Sequence, residues 1–128
     1  VPPGRKTETA PLTMSVDRSD PGAPVLSVGG ELAYATSRPV RVEVDRVLVE
    51  RPAVVVFDFS GLTFIDSTGL SVIVHAWREG QRVGTLVRLR AVPRFLTTIL
   101  DMTGITGLLA RQLPQRSAPV PQRPAAST

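Results

Sequence analysis

Ala53-Val54-Val55-Val56-Phe57 is an unbroken apolar run, mostly β-branched, and it constrains the fold more than any other stretch of the chain. Bounded by Arg51-Pro52 on one side and Asp58 on the other, it reads as a central parallel strand covered on both faces or nearly so. A parallel strand needs crossover connections, and the segments around this one can supply them. From Ser37 to Glu50 the pattern is double: Val40, Val42 and Val44 alternate like a strand, while Val40, Val44, Val47 and Leu48 follow a helical stripe. Length and entry signals favour the helix, with Thr36 or Ser37 able to cap it, Pro39 suited to its first turn and Arg51-Pro52 ending it.

Upstream, Leu12, Met14 and Val16 alternate with Thr13, Ser15 and Asp17, which predicts a half-buried strand, and Ser19-Asp20-Pro21-Gly22 supplies a turn into a second strand over Val25 to Leu32. The link is too short for a parallel crossover, so the two strands form an antiparallel hairpin. Downstream, residues 60–65 read as a loop. Leu70, Ile73, Val74 and Trp77 then mark a second helix up to Gly80, Thr85 to Arg90 a strand, Phe95, Leu96, Ile99 and Leu100 a third helix ending at Gly104, and Ile105 to Gln112 a short fourth. The order β-β-α-β-α-β-α-α predicts an α/β domain: a four-stranded mixed sheet with right-handed crossovers and helices mainly on one face.

The 128 residues suffice for one such core, which is placed over residues 12–112, with disordered tails expected at 1–11 and in the Pro-rich 113–128. The absence of cysteine excludes a disulfide scaffold, a thiolate metal site and a thiol nucleophile. The longest apolar stretches fall far short of the roughly 18 residues that span a bilayer, and the first eleven residues lack a secretory apolar segment. A cytoplasmic protein is the expectation. The net charge of +4 lies in the tails, because residues 12–110 hold ten basic and ten acidic side chains. No face of a neutral centre concentrates Arg and Lys as a duplex binder would, so nucleic acid is not an expected partner.

Chemistry concentrates in Phe64-Ile65-Asp66-Ser67-Thr68-Gly69-Leu70, where three side-chain oxygens stand in a row at the opening of the second helix. The first turn of a helix has unpaired N–H groups and a partial positive charge. Asp66 can therefore be a simple N-cap with Ser67 and Thr68 as good first-turn residues, or the turn can be a site for attaching or binding phosphate. A hydrolase triad of Asp66, Ser67 and His75 is excluded by spacing, since eight residues of helix separate Ser67 from His75 by about 12 Å. His75 is the only histidine in a chain without cysteine, which leaves no metal-ligand set. No cofactor is expected, and no P-loop pattern occurs. Helical geometry puts Ser67, Ser71 and Arg78 near one face, flanked by Val72 and His75, with Leu70, Val74 and Trp77 opposite.

The Phe64–Leu70 segment resembles the signature of STAS domains, specifically the bacterial anti-sigma factor antagonists. Gly30-Glu31-Leu32 at the end of the second strand, Val54 to Asp58 with Ser60-Gly61-Leu62, and Leu100-Asp101-Met102-Thr103-Gly104-Ile105 extend the resemblance over roughly residues 12–110. It implies that Ser67 is the phosphorylated residue, with Asp66 and Gly69 supporting it and Thr68 as a secondary acceptor. It also implies two partners: an anti-sigma factor with serine kinase activity, and a metal-dependent serine phosphatase whose metal is its own. The unmodified protein would bind the first and release a sigma factor, without being an enzyme itself. Partner contacts are expected at Ser67, Thr68, Ser71 and Val72. The family usually places an aspartate after Gly-Glu-Leu, close to the serine; here Ala33 stands there, removing one acidic contact. The alternatives are a STAS scaffold that is not phosphorylated and a small-ligand sensor for a nucleotide or lipid.

Overall fold

The computed structural model describes residues 11–112, so most of the first expected tail and all of the second lie outside the described residues. The elements are β1 (Thr13–Asp17), β2 (Val25–Leu32), α1 (Ser37–Val49), β3 (Val54–Asp58), β4 (Leu62–Ile65), α2 (Ser67–Val83), β5 (Leu86–Arg90), α3 (Arg94–Thr103) and α4 (Ile105–Ala110). The main sheet runs β1-β2-β3-β5. β1 is antiparallel to β2, whereas β3 is parallel to both of its neighbours, as its apolar run predicts. The helical stripe of α1 is also as expected, with Val40, Val44, Val47 and Leu48 all buried.

Four details differ from the sequence reading. The expected loop 60–65 contains β4, a fifth, four-residue strand parallel to β2 that pairs Gly30 with Leu62 and Leu32 with Ile65. Its Leu62 and Ile65 are buried while Thr63 and Phe64 are not, so no strict alternation announces it. Thr36 sits at the N-cap of α1 without capping it: its hydroxyl donates to the Glu31 carbonyl at 2.6 Å and accepts the Ala33 N–H at 2.9 Å. Helix α2 continues past Gly80 to a left-handed Gly84 (φ 82°). Gly80 lies inside it because the Thr85 carbonyl approaches so closely that a β-carbon would be 2.6 Å from its oxygen. Finally, the β3 run is fully covered on one face only, with Val55 and Phe57 buried and Val54 and Val56 half-buried.

The core joins Leu26, Val28 and Leu32 of β2 and Val55 and Phe57 of β3 to Val40, Val44 and Val47 of α1. Val72, Ile73 and Ala76 of α2 and Leu96 and Leu100 of α3 complete it. All helices thus pack on one side of the sheet. β3 and β4 use successive stretches of the same edge of β2, Val25–Ser27 and then Gly30–Leu32, with the Gly30 N–H donating to the Gly61 carbonyl at 2.9 Å between them. This continuation carries the chain along β2 and delivers Asp66 to the end of that strand, where the turn into α1 begins.

The α2 amino terminus as candidate functional site

Asp66 caps α2 with an extended backbone (φ −117°, ψ −172°), and its Oδ1 accepts the Gly69 N–H at 2.9 Å. Its other oxygen, Oδ2, accepts the Tyr34 N–H at 3.0 Å, so one carboxylate ties the start of α2 to the β2–α1 turn, 32 residues away in sequence. The Gly69 N–H above all, with the Tyr34 and Thr68 N–H groups, holds the Asp66 carboxyl below the usual carboxylate range against opposing desolvation. The simple N-cap role is therefore real, and a cross-loop clamp is added to it.

Gly69 makes this turn sterically feasible. A β-carbon there would collide with the Leu32 carbonyl oxygen and stand 2.7 Å from Cγ1 of Ile65. The helix start is pressed against the ends of β2 and β4, and only glycine fits.

With Asp66 engaged, Ser67 is left at the head of α2, exposed, and its hydroxyl makes no hydrogen bond among the described residues. Thr68 is half-buried, and its carbonyl accepts the Ser71 hydroxyl at 2.6 Å. Ser71 is exposed, but its proton is thereby committed. The expected contact Val72 is corrected: only 1% of it is accessible, and it belongs to the core. His75 is buried as well, with Nε2 2.7 Å from Oδ1 of Asp45 on α1. The physical reason is that α1 packs alongside α2, so the buried stripe runs through Gly69, Val72, Ile73, Ala76 and Gly80. Leu70, Val74 and Trp77 are half-buried at its border.

Two residues of this surface escaped the sequence reading as contacts. Tyr34 is 82% exposed, and the Asp66 clamp fixes its backbone beside the α2 start. Phe64, on β4 two residues before Asp66, is 49% exposed. Phe64 lies inside the motif and could have been flagged by its size; the position of Tyr34 depends on a long-range hydrogen bond that no local pattern reveals. Ala33 stands in the same turn, its N–H and carbonyl both used by Thr36, so nothing acidic extends from that position. A groove of about 570 Å³ lies elsewhere between α1 and α2, lined by Asp45, Val49, His75 and Glu79 among others. No described helix is long and apolar enough to cross a membrane.

A mixed sheet with its helices on one side, whose β4 leads into a capped Asp-Ser-Thr-Gly turn, agrees with the family comparison: residues 16–115 match the STAS domain, and the chain belongs to that family. Among its relatives is the anti-sigma-F factor antagonist RsfB of Mycobacterium tuberculosis, 29% identical over 87 residues, which are 67% of this chain and 69% of RsfB. The crystal structure of an anti-sigma factor antagonist from Mycobacterium paratuberculosis superposes with a TM-score of 0.66 at 26% identity, covering 78% of this chain and 86% of that one. The phosphorylated form of the Bacillus cell fate determinant SpoIIAA shares the fold, with a TM-score of 0.62 at 17% identity over 75% of this chain and 87% of its own.

Proposed function

We propose that this chain is an anti-sigma factor antagonist that acts by partner switching. The unmodified form binds an anti-sigma factor through the surface around Ser67, freeing a sigma factor. The serine kinase activity of that anti-sigma factor phosphorylates Ser67 and ends the complex, and a metal-dependent serine phosphatase restores it. Thr68 is a second, less accessible acceptor. The contact surface comprises Ser67, Thr68 and Ser71, with the exposed rings of Tyr34 and Phe64 beside them. The names of the relatives support this reading. The observation that carries it to a residue is the exposed, unengaged Ser67 hydroxyl at the head of α2.

The electrostatics favour a switch at the interface over a switch in the fold. A phosphate at a helix N-terminus gains about 0.3–1 kcal/mol from the helix dipole, so the modified domain keeps its structure. In the complex, a charge of about −2 facing one partner carboxylate at ~6 Å, with an effective dielectric of about 20, costs roughly 5 kcal/mol before salt and relaxation reduce it. Half of that still weakens binding by nearly two powers of ten.

The test is to incubate the protein with a cognate kinase and ATP and to locate the added mass. Mass on the peptide containing Ser67, absent from Ser67→Ala, is the expected result. Ser67→Glu should also bind the anti-sigma factor about 100-fold more weakly than Ser67→Ala; equal affinities would refute the switch. A scaffold that binds without being modified is the second reading, favoured by Ala33 in place of the family's aspartate. It predicts binding with no mass gain.

A further inference from the structure

The sheet has a second face, which mixes polar rows with an aliphatic patch and is covered by no described helix. Strand register places Asp17, Val25, Val56 and Arg88 in a single row across β1, β2, β3 and β5. Val54 and Leu86 stand beside each other next to this row. Ser15, Ser27, Asp58 and Arg90 form the row on its other side. Val25, Val54, Val56 and Leu86 are half-buried and belong neither to the core cluster nor to the side chains packed against it. A solvated sheet face ordinarily presents polar residues, so four adjacent aliphatic side chains spread over β2, β3 and the edge strand β5 call for an occupant.

We propose that this bare face is a self-association surface, on which a second copy of the chain packs its own bare face about a two-fold axis running along the strands. The order of charges in the Asp17–Arg88 row selects this axis. An acid stands at one edge, two valines in the middle and an arginine at the other edge. A two-fold axis along the strands reverses the row, so that Asp17 of one copy faces Arg88 of the other while Val25 faces Val56. An axis across the strands would stack Asp17 on Asp17 and Arg88 on Arg88. Aligned packing with a small twist between sheets is also the ordinary geometry of two sheets face to face. Arg88 is exposed and has no ion-pair partner among the described residues, whereas Arg90 is held by Asp58 at 2.7 Å. Asp17 feels Arg90 and accepts two bonds from Ser19, yet remains exposed.

Size sets the strength. Four strands about 4.8 Å apart and three rows about 6.6 Å apart give roughly 400 Å² of flat contact per copy, below the standard interface range, so the pair is weak and reversible. Because this face lies opposite the helices, it leaves Ser67 open in both copies. Self-association on this face and partner binding at Ser67 are therefore independent of each other.

The experiment is sedimentation equilibrium on the full chain from about 10 μM to about 1 mM, which brackets an interface of this size. A monomer–dimer equilibrium is expected, suppressed by Val56→Lys, which puts an ammonium into the apolar row. Asp17→Arg and Arg88→Glu should each weaken dimerisation about tenfold, because symmetry makes every contact occur twice. The double variant should return to within about threefold of the parent. Circular dichroism checks that each variant is folded; should Asp17→Arg fail, Arg88→Glu and Val56→Lys still decide. A parent that is monomeric at every concentration overturns the proposal and leaves the face to a different protein. A dimer indifferent to Val56→Lys, or a folded double variant no tighter than the single ones, overturns it equally.

Discussion

Helix α2 carries two polar groups of opposite fate about two turns apart. Ser67, at its head, has an exposed hydroxyl with no intramolecular partner among the described residues; His75, farther along, is buried and meets Asp45 at 2.7 Å. Both residue types serve chemistry elsewhere, and residue type alone would rank the histidine first. Availability ranks them the other way, because the His75 ring is buried between α1 and α2 with Nε2 engaged by Asp45, whereas the Ser67 hydroxyl is exposed and unengaged. The acid next to Ser67 has both oxygens committed to backbone N–H groups, which orders the turn while leaving the hydroxyl free. At the head of this helix the fold uses up the acid and spares the neighbouring hydroxyl.

The largest effect that would sharpen this contrast is steric. Gly69→Ala forces a methyl group into the Leu32 carbonyl, which must move the α2 start off β2, and should cost about 3 kcal/mol in urea unfolding. A cost below about 1 kcal/mol would mean that the turn is free to shift and does not hold Ser67 in place. Next, His75→Ala leaves a cavity between α1 and α2 and should cost about 2 kcal/mol, with no loss of partner affinity once the protein is folded. Asp66→Ala should lower the urea midpoint by more than the loss of a cap alone, because the Tyr34 tether goes with it, and should weaken partner binding by releasing the β2–α1 turn.

How far these roles could be read in the sequence depended on how local their causes were. The central strand, the α1 stripe and the glycine that ends α3 follow from patterns a few residues long, and each is where those patterns place it. The Asp66-Ser67-Thr68-Gly69 turn was legible for the same reason. The orientation of α2 was not. Leu70, Val72, Ile73, Val74, Ala76 and Trp77 make it apolar around most of its circumference, so periodicity alone cannot choose a face. What chose it was close approach: a β-carbon at Gly69 or Gly80 would meet the Leu32 or Thr85 carbonyl, and Val72, Ile73 and Ala76 are buried between them, while Leu70 and Val74 pack at the border of the core. β4 was hidden by its brevity and its irregular burial, and the Tyr34 clamp by 32 residues of sequence separation.

A smaller effect concerns pH. Asp58 accepts from Arg90 Nε at 2.7 Å and from the Ser60 N–H at 2.9 Å, and the Arg90 bond above all lowers its pKa to about 2. A carboxylate whose pKa is depressed on folding contributes stability above its unfolded pKa of about 3.9 and loses it as pH falls through the folded value. After allowance for solvent around the exposed Arg90, that contribution is about 1 kcal/mol, lost between about pH 4 and pH 2. Asp58→Asn should remove it at neutral pH and flatten that part of the stability profile. An unchanged acid limb would show that the pair is too well solvated to matter.

The smallest expected effect is the most informative about α2. Ser67→Ala removes a hydroxyl with no intramolecular hydrogen bond among the described residues, and alanine is the better helix former by a few tenths of a kcal/mol. Its unfolding free energy should therefore lie within about 0.5 kcal/mol of the parent, a shift of at most about 3 °C in Tm for a domain of this size. His75→Ala, on the same helix, should lose several times more. If Ser67→Ala instead cost more than about 1 kcal/mol, the hydroxyl would have a structural task, and phosphorylation would have to break it. The modification would then act through the fold, and the interface electrostatics would no longer suffice to explain release. A neutral result leaves Ser67 as an oxygen that the fold does not need, which is the condition for a modification that changes binding while its carrier stays intact.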